Sequence, residues 1–425
     1  MAEETAVGRD LLQIARKEAE RAQRELQRQV SAMLEEIEQS ADPSNPKVHA
    51  AVQRLSSLGP DALPLLVETL RSEAPSSRRT RAVHAARAIV AMYERTKDAS
   101  ILDSLDRLLQ SSDAAVQQCV LHGLIGFVHP FAGEKARPFL ESKDPATVNL
   151  AIRVVAAQQD REIAPLLRRF VACQSPLIDV GSIPKDADFQ TRNPHFITVL
   201  AALEQLGDEA TAPLVALVLP ELDDSVLTVA IDHLGRFGNR ESLPALRALA
   251  FGSRELLTTI RVRCLEAVQR IGLRHKNAAG DAHEILLEGF KTDNAKIRDD
   301  SAWFLGPYED KSAYDSLEKS NKERIDRSPR ETVPVIELAR LQIQFNRWKD
   351  AQRTLNKAEL LDEKKDYWSE IRILKAVVYC ELKNYPKAAE SLRSCGRADL
   401  RSLLEEWPTL RKMAEDPQYE ELFAQ

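Results

Sequence analysis

Large aromatic side chains and glycines are scarce in this 425-residue chain. Phe, Trp and Tyr make up 5% of it, and 15 residues are glycine. That aromatic content is low for a globular enzyme. Thin helical layers that stack on one another are filled by Ala, Leu and Val and need few large rings. The composition therefore favours a long helical array.

Signals for secretion and membrane insertion are also lacking. The first residues are acidic and have no apolar core, which predicts no secretory signal. The most apolar run, residues 212–222, is short and contains two prolines, so we expect no membrane span. The five cysteines have no CxxC spacing, which favours buried free thiols in a reducing compartment, and we expect a cytoplasmic protein. They are Cys119, Cys173, Cys264, Cys380 and Cys395.

An excess of positive charge is absent too. The chain has 59 Lys and Arg against 65 Asp and Glu, a net charge of −6. A dedicated nucleic-acid binder needs a basic face to neutralise phosphates, so this class is unlikely. Nucleic-acid binding stays an alternative, because basic residues can cluster on one part of a surface even in an acidic protein. The candidates for such a cluster are Arg78, Arg79, Arg81 and the central arginines.

No motif for catalysis or cofactor binding stands out. The eight histidines form no HExxH and share no metal-ligand spacing with a cysteine. The chain has no GxxxxGK[ST], no GxGxxG after a strand and no GxSxG. We therefore expect no enzymatic activity, no cofactor and no metal site.

What the chain does have is a recurring proline in one local context. Each follows an Ala-rich amphipathic stretch and a polar turn, and each opens a second apolar stretch. Proline is tolerated in the first turn of a helix, so each marks the second helix of a hairpin. The spacings are 74, 27, 48 and 31 residues, which fits units of roughly 30–40 residues and predicts an all-α solenoid. These prolines are Pro64, Pro138, Pro165, Pro213 and Pro244.

The clearest unit covers residues 226–246. Val226, Ala230 and Leu234 recur on one helical face, and small Ala230 permits a close neighbour. We expect Gly235 and Gly238 to end the first helix in a left-handed conformation.

After these glycines, residues 239–242 provide a turn and an N-cap before Pro244. The unit resembles the HEAT repeat, in the short bacterial form first named from phycobilisome lyases. Weaker copies surround it, and the resemblance implies an α-solenoid of about eight hairpins over residues 43–325.

A different repeat follows in residues 326–425. The run 348–355 aligns with 385–392 at an offset of 37, and Ala339 matches Ala376. The aromatic and alanine positions resemble those of a pair of tetratricopeptide repeats. For residues 403–423 we expect a C-terminal capping helix and a short terminal turn.

Two segments flank or interrupt the hairpins. Within the N-terminal region 1–42, residues 9–39 predict one continuous polar helix, either a cap on the first repeat or a coiled-coil or docking arm. The insertion at 174–192 breaks the hairpin rhythm and is either a passive surface loop or a recognition loop. In the second case Ile178, Ile183 and Phe189 would contact a partner.

These observations favour a non-enzymatic scaffold or adaptor. Its concave groove, lined by the second helices, would bind a partner protein or peptide. On those helices or the turns that lead into them, Arg161, Arg168 and Arg247 are the basic candidates for partner contact. The alternatives are a nucleic-acid-associated HEAT-like protein and, with less support, a HEAT-type lyase or glycosylase.

Overall fold

The computed structural model describes residues 2–39, 45–76, 79–172, 193–395 and 400–423. Over these ranges the regular structure is helical, with 24 α-helices and no strand. The helices pack neighbour to neighbour, which confirms an all-α helical-repeat solenoid. The chain divides into two compact units, residues 1–214 and 215–425.

The first unit contains ten α-helices and the start of an eleventh in its described residues. They are α1 (Ala2–Glu38), α2 (Pro46–Ser57), α3 (Leu63–Glu73), α4 (Arg79–Thr96), α5 (Ala99–Leu109), α6 (Ala114–Leu124), α7 (Pro130–Ala136), α8 (Pro145–Ala157), α9 (Ala164–Ala172), α10 (Asn193–Gln205) and α11 (Ala212–Val218). The first helices of successive hairpins, α2, α4, α6, α8 and α10, pack side by side. The second helices α3, α5 and α9 lie against the first helix that follows them.

The N-terminal helix α1 is continuous, as predicted. Near its C-terminal end, Val30, Leu34 and Ile37 are buried, and the helix packs on α2 and α4. The side chains of residues 16–25 are exposed. From residue 16 onward, where side chains are described, the buried positions of α1 lie in its C-terminal part.

The second unit contains thirteen complete α-helices in its described residues. They are α12 (Asp224–Phe237), α13 (Leu243–Phe251), α14 (Thr258–Arg274), α15 (Ala279–Phe290), α16 (Ala295–Phe304), α17 (Lys311–Arg327), α18 (Thr332–Gln344), α19 (Trp348–Leu361), α20 (Trp368–Glu381), α21 (Tyr385–Arg393), α22 (Leu403–Glu406), α23 (Arg411–Ala414) and α24 (Glu420–Phe423). Each helix from α13 to α20 packs on the next one in the chain, and α12 packs on α14. The change of repeat type predicted at residue 326 lies inside this unit.

Four of the five marker prolines open an α-helix as predicted. They are Pro64, Pro165, Pro213 and Pro244. The fifth, Pro138, lies instead in a 3₁₀ turn, Arg137–Glu141. The physical reason is the short stretch of chain before the next helix, because Asp144 already caps α8 by accepting hydrogen bonds from the amides of Ala146 and Thr147. Seven residues separate α7 from that cap, and five of them form the 3₁₀ turn.

In the repeat at 226–246 the predicted helical face is confirmed, but the first helix ends differently from the prediction. Val226, Ala230 and Leu234 are buried. Gly235 lies within α12 and does not end it; a Cβ there would be 3.4 Å from Ala267 of α14. Gly238 does cap the helix, but with φ −63° and not in the left-handed region. Gly235 therefore serves the close approach of two helices.

The predicted turn of this repeat is confirmed. Asn239 and Ser242 form a capping box around the 3₁₀ turn Arg240–Ser242, and α13 follows directly. This cap satisfies amides that the start of a helix would leave unpaired.

The C-terminal pair forms two helical hairpins, α18 with α19 and α20 with α21. Trp348 and Tyr385 begin the second helix of each. The matching alanines are all buried at these helix contacts: Ala339, Ala351, Ala376 and Ala388. The tail differs from the single capping helix we expected, because Pro408 and Pro417 interrupt it and three four-residue helices form.

Candidate binding groove

An open groove of about 1390 Å³ lies between two second helices of the second unit, α13 and α15. We refer to it as the α13–α15 groove. One wall is the 3₁₀ turn Arg240–Ser242 followed by α13, and the other is α15 with the two residues after it. The groove follows from the fold, because successive second helices touch along only part of their length.

Two ion pairs connect the walls of the groove. Arg240 Nε donates a hydrogen bond to Asp281 Oδ2 at 2.5 Å. Arg247 Nε donates to Glu288 Oε2 at 2.7 Å. On each wall the charged residues are seven positions apart. On α15 this spacing is two helical turns, so Asp281 and Glu288 share one face. The hydrogen bond from Arg240 holds the pKa of Asp281 below its usual value.

An apolar strip runs between these charges. Pro244 and Ala248 of α13 are exposed, while Phe251 and Leu287 are half-buried. Ile285 is buried below them. The strip leaves apolar surface open to solvent where a partner side chain can cover it.

Three further charged side chains line the groove. Glu241, Glu284 and Lys291 are exposed, and none forms an ion pair with a described residue. With the two ion pairs neutral, these three side chains leave an excess of one negative charge.

The groove is lined by apolar and charged side chains. Across the described parts of the chain, no group of three or more His, Cys, Asp or Glu side chains is placed to hold a metal ion. The groove itself contains no histidine, cysteine or serine among its lining residues. Its chemistry is that of apolar contact and charge pairing.

The basic residues predicted for partner contact lie in two places. Arg161 is exposed in the 3₁₀ turn before α9, and Arg168 of α9 has its Nε 3.4 Å from Asp208 Oδ2. Both belong to the first unit. Arg247 lines the α13–α15 groove in the second unit. The insertion 174–192, with Ile178, Ile183 and Phe189, lies outside the described residues.

Sequence reasoning missed most of this groove. It singled out Arg247 but not Arg240, nor the acidic partners Asp281 and Glu288. A signal was present in the equal spacing of seven residues on both walls, at an offset of 41. That offset acquires meaning only once α13 and α15 are known to be neighbours.

Comparisons with known proteins leave the chain without a family. No family model matches it, and no curated protein matches it. Among solved structures, it is similar to a crystal structure of an engineered protein from the Northeast Structural Genomics Consortium, at 16% identity and a TM-score of 0.36. That match covers 87% of this chain and 99% of the other, and at this TM-score it does not establish a common fold.

None of the helices in the described ranges combines the length and the apolar character that crossing a bilayer requires.

Proposed function

We propose that the chain is a non-enzymatic scaffold or adaptor and that the α13–α15 groove binds a segment of a partner protein. The observation that carries the proposal is the open apolar strip of Pro244, Ala248 and Phe251, with charged side chains on both sides. Pockets for small molecules are typically about 300–1,000 Å³ and largely enclosed. A larger, open groove suits a stretch of polypeptide better.

The charges of the groove favour one kind of partner segment. Glu241 and Glu284 are exposed beside the strip without ion-pair partners, and Lys291 is the single unpaired base. A segment with apolar anchors and flanking Lys or Arg complements this arrangement. Charges at the rim act mainly on the association rate and on the choice of partner.

We also propose that the hairpins before residue 326 are of the HEAT type, that those after it are of the tetratricopeptide type, and that the protein is cytoplasmic. The capping box and buried helical face of residues 226–246 support a HEAT-type assignment for the hairpins before residue 326. The buried alanines and the aromatic helix starts support a tetratricopeptide-type assignment after it. Cys119, Cys264, Cys380 and Cys395 are free and buried, which supports a reducing compartment such as the cytoplasm.

The test places a charge in the apolar strip of the groove. Ala248→Glu adds a carboxylate to an exposed helical position in the apolar strip, so folding should be retained and the partner lost. The matched control is Ala295→Glu, the same change at an exposed position of α16 outside the groove. Each variant is used to capture proteins from the native cell, and the captured proteins are identified by mass spectrometry.

The expected result is a protein captured by the wild type and by Ala295→Glu but not by Ala248→Glu. Melting curves establish that both variants are folded. Equal capture by all three proteins would remove the groove from the proposed function.

A further inference from the structure

The middle first helices of the first unit carry few acidic residues of their own, although Arg81 of α4 pairs with Glu73 of α3. Across α4, α6 and α8 the single acidic residue is Glu94. The same three helices carry Arg87, His122 and Arg153, one on each helix, together with other arginines. In a chain with more acidic than basic residues, this layer is an exception.

Close packing of α4 and α6 brings two of these side chains together. A Cβ on Gly123 would lie 2.7 Å from the Cβ of Ala86, so the helix backbones approach as closely as this glycine allows. The residues beside this contact are Arg87 and His122. Arg87 Nη2 lies 3.4 Å from His122 Nδ1 and donates to it when that nitrogen is unprotonated.

The third member comes from α8, which packs on α6. Arg153 is exposed and forms no ion pair with a described residue. Burial lowers the pKa of Arg87, and the charge of Arg153 lowers it further. Burial also lowers the pKa of His122, followed by the charge of Arg87 and a smaller contribution from Arg153. These side chains are therefore electrostatic neighbours with no carboxylate among them.

A buried polar atom lies beside the same cluster. His84 is on α4, one helical turn before Arg87, and its side chain is 2% exposed. Its Nδ1 has no hydrogen-bond partner in the described structure. Burial lowers the pKa of His84, and the charges of Arg87 and His122 lower it further. The cluster thus combines half-buried positive charge with an unsatisfied imidazole.

The equivalent layer of the second unit is built differently. There Arg263 of α14 donates to Asp232 of α12 at 2.9 Å, and Arg270 pairs with Glu266 on its own helix. Arg263 and Arg270 thus each have a carboxylate partner, whereas Arg87 and Arg153 form no ion pair with a described residue. Guanidinium groups that are not paired with a carboxylate can form charge-assisted hydrogen bonds to an anion.

We propose that Arg87, His122 and Arg153 form a binding site for a phosphate group on the first-helix face of the first unit. Two guanidinium groups match the charge of a phosphate monoester, roughly −1.5 to −2 at neutral pH, and guanidinium donors fit its oxygens in pairs. The imidazole supplies a further donor through its protonated nitrogen. A carboxylate would balance only one of the two arginines.

One phosphate group fits this cluster better than a nucleic-acid backbone does. A nucleic-acid track needs a stripe of basic residues, and its phosphodiesters carry one charge each. Here Arg87 and His122 are in contact, and Arg153 lies on the helix packed beside them. The ligand is therefore free phosphate or a phosphorylated side chain of another protein.

The test is calorimetric titration of the full chain at low ionic strength with inorganic phosphate, N-acetyl-phosphoserine amide and a 20-nucleotide single-stranded DNA. We expect saturable binding of inorganic phosphate or the phosphoserine compound, and the tighter of the two identifies the source. Arg153→Gln should weaken it at least tenfold. Because Arg153 is exposed, this variant keeps the fold, which its melting curve verifies.

Two further variants make the result specific. Arg87→Lys retains the charge but loses the paired donors, and it should weaken binding by a smaller factor than Arg153→Gln combined with Arg87→Gln. Arg263→Gln removes a paired arginine from the second unit and should leave binding unchanged. No saturable binding, binding unaffected by Arg153→Gln, or binding of the DNA alone would overturn the site.

Discussion

At the scale of single residues, the most unusual side chain in the first unit is His84. Burial lowers its pKa from 6.5 to about 4, with smaller contributions from the charges of Arg87 and His122. It is therefore neutral in the folded chain at pH values where the unfolded chain is already taking up its proton. A histidine of this kind destabilises the fold as the pH falls.

The sign and size of this effect are testable. Between pH 6.5 and 4 the unfolded state binds more protons at this position, so the free energy of unfolding falls by up to about 3 kcal/mol. In His84→Gln that contribution disappears, and the loss of stability over this pH range should be smaller by the same amount. Urea unfolding followed by circular dichroism at several pH values measures it.

The control is His49→Gln, since His49 is exposed on α2. It should retain the pH dependence of the wild type. If His84→Gln also retained it, the ring would have to be protonated in the folded chain.

At the scale of helices, contacts depend on small residues at the crossing points. Ala230 of α12 and Ala351 of α19 are both fully buried, and Gly235 faces Ala267 in the next first helix. A leucine at a fully packed alanine has no space to occupy. It forces side chains off their rotamers or helices apart.

We therefore expect Ala230→Leu to cost about 1–3 kcal/mol of stability and to lower the melting temperature. The matched control is Ala248→Leu, the same substitution at an exposed position of the same unit. Thermal melting of the two variants should differ clearly. An unchanged melting temperature for Ala230→Leu would mean that α12 and its neighbours tolerate a larger spacing than the structure has.

The helices were the part of the fold that sequence could predict, because their signals are local. A proline in the first turn, a capping residue and a buried face all lie within one stretch of chain, as in residues 226–246. Gly235 was misread because a glycine that permits a close helix contact looks the same in sequence as one that ends a helix. Pro138 was misread because the length of its segment depends on where Asp144 caps the next helix.

The groove and the phosphate site were harder to predict for a different reason. Arg240 meets Asp281 across 41 residues, and Arg87 meets His122 across 35. Such pairs depend on which helices become neighbours and on their register. A pattern within one stretch of sequence shows neither which helices become neighbours nor their register.

At the scale of the whole molecule, the chain consists of two compact units with contacts mainly between neighbouring helices. Proteins of this kind need not unfold in one step. All four tryptophans, Trp303, Trp348, Trp368 and Trp407, belong to the second unit. Tryptophan fluorescence therefore follows one unit, while circular dichroism follows both.

We expect urea transitions measured by the two probes to differ in midpoint, with part of the helical signal changing outside the fluorescence transition. Adding tryptophan to the first unit, by Tyr93→Trp, should report the remaining transition. Coincident curves for all probes would mean that the units unfold together.

The seven-residue spacing in the α13–α15 groove also sets a length scale for its occupant. Seven residues of α-helix span about 10.5 Å. An extended peptide covers that distance in about three residues. A segment that lies along the groove in extended form would thus meet the two arginine–carboxylate pairs about three residues apart, so a shift by one or two positions would place its side chains between the pairs. The groove would in this way select a partner by the spacing of its side chains as well as by their composition.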